Sequence, residues 1–203
     1  MKRLGILLSG RGSNFQAIAQ AIREFRLLGV EIAVVLSNRE EAPGLKAAQQ
    51  MELPAFCIPS KGMERAAHDA EMAARLHQHR VDLVCLAGYM RVLTPEFVRA
   101  FPERILNVHP PLLPAFPGLD AQAQALAAGV RVAGCTVHFV DEAVDHGVVV
   151  VQRSVPVLDD DTVETLSARI LEQEHQAYTD AIVRVVSEQY AVRGGRYVRV
   201  TNG

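Results

Sequence analysis

The chain has 203 residues, 49% of them apolar, enough for a substantial core in one large domain or two small ones. Aromatic residues make up only 5% and tryptophan is absent, so that core must be aliphatic. A net charge of −2 offers no electrostatic footprint for nucleic acid, and no apolar run approaches the length of a membrane span.

Along the chain, short continuous apolar runs alternate with longer periodic ones. Residues 4–8, 32–36, 55–58, 81–86 and 105–108 predict buried strands. Between them, residues 15–28, 44–51 and 64–79 have helical spacing. This alternation implies a parallel sheet with helices on both faces and right-handed crossovers. A proline-rich loop follows, then a helix at 121–128 and two long β-branched segments, 130–140 and 148–157. Residues 141–147 join those segments in a hairpin-like connection, which predicts an antiparallel pair. A last helix is expected over 162–190, opened by Asp161-Thr162-Val163-Glu164 with acidic first-turn chemistry. The expected fold is therefore α/β: one domain, a mostly parallel twisted sheet, and an antiparallel strand pair in the C-terminal part. Cys57, Cys85 and Cys135 are far apart and odd in number, so they read as reduced, with Cys57 and Cys85 in the core. The N-terminus enters a strand at once and shows no small-residue cleavage site, from which a soluble cytoplasmic protein is expected.

The most informative stretch is Ile105-Leu-Asn-Val-His-Pro-Pro. The proline pair cannot continue a strand. Asn107 and His109 are two apart, so on an extended chain their side chains leave the same face. They sit at the carboxyl end of a strand, where open parallel sheets bind ligands. A neutral donor beside a group that titrates near neutrality suits a carbonyl whose oxygen gains negative charge. The alternative is an Asn107 that caps the loop and a His109 satisfied in the core.

Strand one ends in Ser9-Gly10-Arg11-Gly12-Ser13-Asn14, followed by a helix. Glycines that let the backbone turn, with free amides at a helix N-terminus, make an anion site. The loop lacks the Lys of a Walker motif and the third glycine of a dinucleotide fingerprint, so a monophosphate fits it better than a pyrophosphate. An ordinary strand–helix turn capped by Ser13 is the competing reading. Asp145 sits in the connection after 130–140. It is either a solvated turn aspartate before Gly147, or a carboxylate that faces His109, favours imidazolium and holds the ring. His138, His146 and Asp145 match no metal-ligand spacing.

Together these residues resemble the folate-dependent phosphoribosylglycinamide formyltransferases of purine biosynthesis. The resemblance runs from Leu4 to Tyr178. Its parts are Ser-Gly-Arg-Gly-Ser-Asn at 9–14, Leu-Ala-Gly-Tyr-Met-Arg at 86–91, Asn-Val-His-Pro at 107–110 and Leu-Leu-Pro at 112–114. Gly-Cys-Thr-Val-His-Phe-Val at 134–140, the 145–147 turn and Glu-His at 174–175 complete it. The resemblance implies a Rossmann-like N-terminal half over about 1–100 and a C-terminal half over about 101–192. It also implies formyl transfer from 10-formyltetrahydrofolate to glycinamide ribonucleotide, without a metal, by Asn107, His109 and Asp145. It assigns the ribonucleotide to Gly12, Ser13, Asn14, Glu174, His175, Gln176 and Ala177. The folate falls to Arg65, Met90, Arg91, Val92, Leu93, Asn107, Asp141, Glu142, Ala143, Val144 and Asp145. Small-molecule substrates are the expected partners, with no nucleic acid and no membrane, for a monomer or homodimer. A formyltetrahydrofolate deformylase, another folate-dependent formyltransferase, or a non-catalytic folate- or nucleotide-binding module are the alternatives. The chain departs from the family at Pro111, where Ser is common, at Ala115, where many bacterial members have Lys, and at Asp120-Ala121-Gln122, where a histidine or two often stands.

Overall fold

The computed structural model describes residues 1–116, 118 and 120–200. The elements run β1 (Lys2–Leu8), α1 (Ser13–Arg23), β2 (Val30–Ser37), α2 (Pro43–Gln50), β3 (Ala55–Cys57), α3 (Arg65–Gln78), β4 (Leu83–Leu86), α4 (Pro95–Ala100) and β5 (Ile105–His109). Then come α5 (Ala121–Ala127), β6 (Val132–Phe139), β7 (Val149–Pro156), α6 (Val163–Val186), β8 (Tyr190–Arg193) and β9 (Arg196–Arg199). The main sheet has the strand order β3-β2-β1-β4-β5-β6-β7, and β8-β9 form a separate pair. β1 to β5 pair in parallel, while β6 and β7 are antiparallel. This is the mixed α/β architecture that the alternating pattern predicts. Among the described residues, no helix is long and apolar enough to cross a membrane.

The chain divides into two compact units, Met1–Asn107 with Val140–Glu142, and Val108–Phe139 with the chain from Ala143 on. In the first unit, Leu4 to Leu8 are buried without a break. Successive strand residues point to opposite faces, so an unbroken buried run means that both faces are covered. The mostly aliphatic core holds Leu7, Val34, Leu36, Met72, Leu76, Val84 and Ile105, with Phe97 among them. Each such side chain stabilises the fold by about 1.5–3 kcal/mol through burial. In the second unit, α6 buries Leu166, Ile170, Ala177, Tyr178, Ala181 and Ile182, a stripe at helical spacing. A side chain on Gly134 of β6 would run into the Arg153 carbonyl of β7, so close pairing of these strands requires glycine there.

Several boundaries differ from the sequence expectation. α1 stops at Arg23 instead of residue 28, because Phe25 turns into the left-handed region. α6 ends at Val186 and Glu188 is left-handed, so Tyr190 starts a strand and does not close the helix. β8 and β9 form a hairpin turning on Gly194-Gly195, both at positive φ, as a two-residue primed turn demands. α4 was not expected from the sequence. Thr94 caps it by accepting from Phe97 N at 3.3 Å, and Pro95 occupies its first position. Cys85 and Cys135 are buried, but Cys57 is only half-buried because β3 is a three-residue strand at the sheet edge.

Candidate active site

β5 carries Asn107 and His109 two positions apart, and strand alternation puts both on one side. Pro110 and Pro111 stop the strand, and the following turn is tied down from the antiparallel pair. The buried Thr136 hydroxyl of β6 donates to Pro111 O at 2.8 Å and accepts from Leu113 N at 2.9 Å. Gln152 of β7 donates to Leu113 O at 2.9 Å and to Thr136 Oγ1 at 3.0 Å. Proline in place of serine at 111 leaves the carbonyl that this network uses.

His109 Nε2 lies 3.4 Å from Asp145 Oδ2, an ion-pair distance without hydrogen-bond geometry. This buried nitrogen has no hydrogen-bond partner among the described residues, so a ligand atom would relieve its lost hydration. The other carboxylate oxygen of Asp145 is 3.8 Å from His138 Nε2, and His138 Nδ1 donates to Phe139 O at 2.8 Å. Asp145 therefore lies between two imidazoles, with its own backbone in the left-handed region at φ 53°. Aspartate tolerates that conformation better than most residues. Burial pushes the His109 pKa below its ordinary 6.5; Asp145 opposes the shift, and His138 adds to it. Asp145 thus acts in the direction expected from the sequence, but burial outweighs it and favours the neutral ring. His138 and Asp145 do come together. Among the described residues, however, no three His, Cys, Asp or Glu side chains could hold a metal ion.

In the first unit, the 9–14 loop leads into the N-terminus of α1. Gly12 is the cap residue, left-handed at φ 69°, and Ser13 is the first helical residue, not the cap. A Cβ on Gly12 would sit 3.1 Å from both Gly44 Cα and Leu8 Cδ2. The glycine is thus required by backbone conformation and by packing from the protein side. Gly10 O accepts from Gly44 N at 3.0 Å, which fixes the loop against α2. Gly12 supplies no side-chain cap to α1, and the N-terminus of a helix favours an anion.

The formyl transferase family model matches residues 2–182. The chain belongs to the formyl transferase family. It is 45% identical to the trifunctional purine biosynthetic protein adenosine-3 of Drosophila melanogaster over 92% of this chain and 14% of that protein. It therefore spans a small part of the length of such relatives. It is 38% identical to the phosphoribosylglycinamide formyltransferase of Bacillus subtilis, over 92% of this chain and 95% of that one. It is also similar to the crystal structure of glycinamide ribonucleotide transformylase 1 from Symbiobacterium toebii. The TM-score is 0.95 at 48% identity, covering 99% of this chain and 95% of that chain.

The remaining expected residues of this formyl transferase fall into distinct settings. Arg65 opens α3 and is exposed, beside the Glu64 cap. Met90 and Val92 are exposed and Arg91 and Leu93 half-buried, in the irregular stretch between β4 and α4. Asp141 and Glu142 belong to the first unit, where Glu142 pairs with Arg99 at 2.9 Å; Ala143 and Val144 are exposed in the second. On α6, Glu174 is buried and His175 is half-buried with an unpartnered Nε2, its pKa lowered by burial. Gln176 is exposed, whereas Ala177 is wholly buried, so its side chain faces the protein interior. Thr136, which holds the turn after His109 together with Gln152, lies in the 134–140 stretch, but the sequence assigns it no role, and Gln152 belongs to no motif.

Proposed function

We propose that this formyl transferase moves the formyl group of 10-formyltetrahydrofolate to the amine of glycinamide ribonucleotide. The products are formylglycinamide ribonucleotide and tetrahydrofolate, in cytoplasmic de novo purine synthesis. The observation that carries this reading is the uncommitted, buried His109 Nε2 beside Asp145, on a strand that also presents Asn107. The family membership supports it.

The neutral amine attacks the formyl carbon, and the carbonyl oxygen gains negative charge. Asn107 donates a hydrogen bond to that oxygen. His109, neutral at rest, takes the proton of the attacking amine as the charge develops, with Asp145 stabilising the imidazolium, and returns it to the departing folate nitrogen. The new carbon–nitrogen bond forms, the bond to the folate nitrogen breaks, and one proton passes from the attacking amine to the departing nitrogen. The N-terminus of α1, with Gly12, Ser13 and Asn14, anchors the phosphate, so binding energy remote from the chemistry positions the amine. Residues 90–93, with Arg65 and the 141–145 loop, receive the folate, and Glu174, His175 and Gln176 the rest of the ribonucleotide. No covalent intermediate on the protein is required. Burial pushes the Cys135 thiol up to about 12, which leaves it a poor nucleophile.

The test is purified protein with 10-formyltetrahydrofolate, following tetrahydrofolate release with and without glycinamide ribonucleotide. Release that depends on the ribonucleotide supports transfer. Release that ignores it indicates a hydrolase.

A further inference from the structure

The stretch between β4 and α4 is held in an unusual way. Among the described residues, no hydrogen bond uses the backbone N–H or C=O of Arg91, Val92 or Leu93. A side chain fixes each end instead. The buried Ser9 hydroxyl accepts from Met90 N at 2.8 Å and donates to Asn38 Oδ1 at 2.6 Å. At the other end, Asp69 Oδ2 accepts from Thr94 N at 2.7 Å.

Asp69 lies on α3 and is 1% exposed. A carboxylate so deeply buried is costly unless paired and hydrogen-bonded. Its neighbour His68, fully buried, bonds through Nε2 to Ile58 O at 2.9 Å. A carbonyl only accepts, so Nε2 carries the hydrogen and Nδ1 faces Asp69 Oδ1 at 3.5 Å. The carboxylate spends Oδ2 on the Thr94 amide, while Oδ1 lies 3.5 Å from the His68 ring. Neither residue touches the catalytic set, and neither belongs to a motif visible in the sequence.

We propose that Asp69 is a positioning residue for the formyl donor. By holding the Thr94 amide it fixes the unpaired backbone edge of residues 91–93, which can then match the donor–acceptor edge of a pterin-type heterocycle. This rests on the function proposed above. An unanchored stretch would lose backbone freedom on binding and so bind more weakly; the clamp bears that cost during folding.

Steady-state kinetics of the intact chain with both substrates test this. Asp69→Ala is expected to raise the KM for 10-formyltetrahydrofolate about tenfold or more, the size of one lost charge-assisted hydrogen bond. The KM for glycinamide ribonucleotide and kcat should stay within about twofold, since uniform binding of one substrate is what is removed. Asp69→Asn retains an acceptor oxygen for Thr94 and should recover most of the donor affinity. An unchanged donor KM in Asp69→Ala, or equal rises for both substrates, overturns the proposal. Amide hydrogen exchange on the unmodified chain needs no variant to fold: Thr94 should be protected and Arg91–Leu93 should exchange fast until the donor is added. Fast exchange at Thr94 also overturns it. Absence of turnover by the unmodified chain would instead overturn the functional reading, leaving the exchange result to judge the clamp.

Discussion

Asp145→Asn keeps the shape of the side chain and removes its charge, so it isolates the electrostatic link to His109. The two groups approach to 3.4 Å and are only 15% and 10% exposed. At that separation, one charge pair is worth about 1 kcal/mol in a water-like medium and about 5 kcal/mol at an effective dielectric constant near 20. The loss for this largely buried pair falls between these, about 3 kcal/mol, which slows the chemical step on the order of 100-fold. Ribonucleotide binding should change little, because Asp145 is not among the residues proposed to hold the ribonucleotide. NMR titration of His109 provides the direct readout. Its pKa, already lowered by burial, should fall further once the opposing charge is gone. The stability consequence has a definite sign. Above about 6.5 the histidine is neutral in both states and contributes nothing to the pH dependence. As pH drops below 6.5 toward the folded value, the unfolded chain takes up a proton that the buried ring does not, and stability falls. In Asp145→Asn that loss should extend to lower pH. An unchanged His109 titration together with near-normal turnover would refute the electrostatic partnership.

Asn107→Ala and His109→Ala should each lower kcat by about 100-fold or more, since each removes a group that stabilises the developing oxyanion, while thermal unfolding should shift little by comparison. Near-normal turnover in either variant would remove the carboxyl end of β5 from the chemistry. Gly12→Val forces a β-branched residue to φ 69° and into Gly44 and Leu8, so it should weaken glycinamide ribonucleotide binding in calorimetric titrations and leave the donor nearly unaffected. Loss of donor binding alone would reverse the assignment of the two ligand segments.

The sheet was legible because its strands are buried on both faces and therefore read as unbroken aliphatic runs such as Leu4–Leu8. The Asn107–His109 spacing was legible because strand periodicity alone puts two such residues on one side. The approach of Asp145 to His109 was one of two readings of that turn, and spacing could not choose between them, since a contact between residues 36 positions apart is a tertiary fact. The balance of forces on His109 was also hidden. The sequence shows an acid that favours imidazolium, but only the structure shows the burial that outweighs it. α4 escaped notice because six residues are too few to display a period, although Thr94-Pro95-Glu96 is a helix-start signal. The tail hairpin was marked by Gly194-Gly195 between aromatic and β-branched residues, a turn signature obscured by the basic charge around it. Asp69 gave no signal, because an acid within a polar helix ordinarily faces solvent.

The most direct test of formyl transfer follows the formyl group itself. Purified protein is supplied with 10-formyltetrahydrofolate labelled in the formyl carbon and with excess glycinamide ribonucleotide, and the products are separated. The account predicts label in formylglycinamide ribonucleotide, one equivalent for each tetrahydrofolate released. Label recovered as free formate, at a rate indifferent to the ribonucleotide, would contradict it.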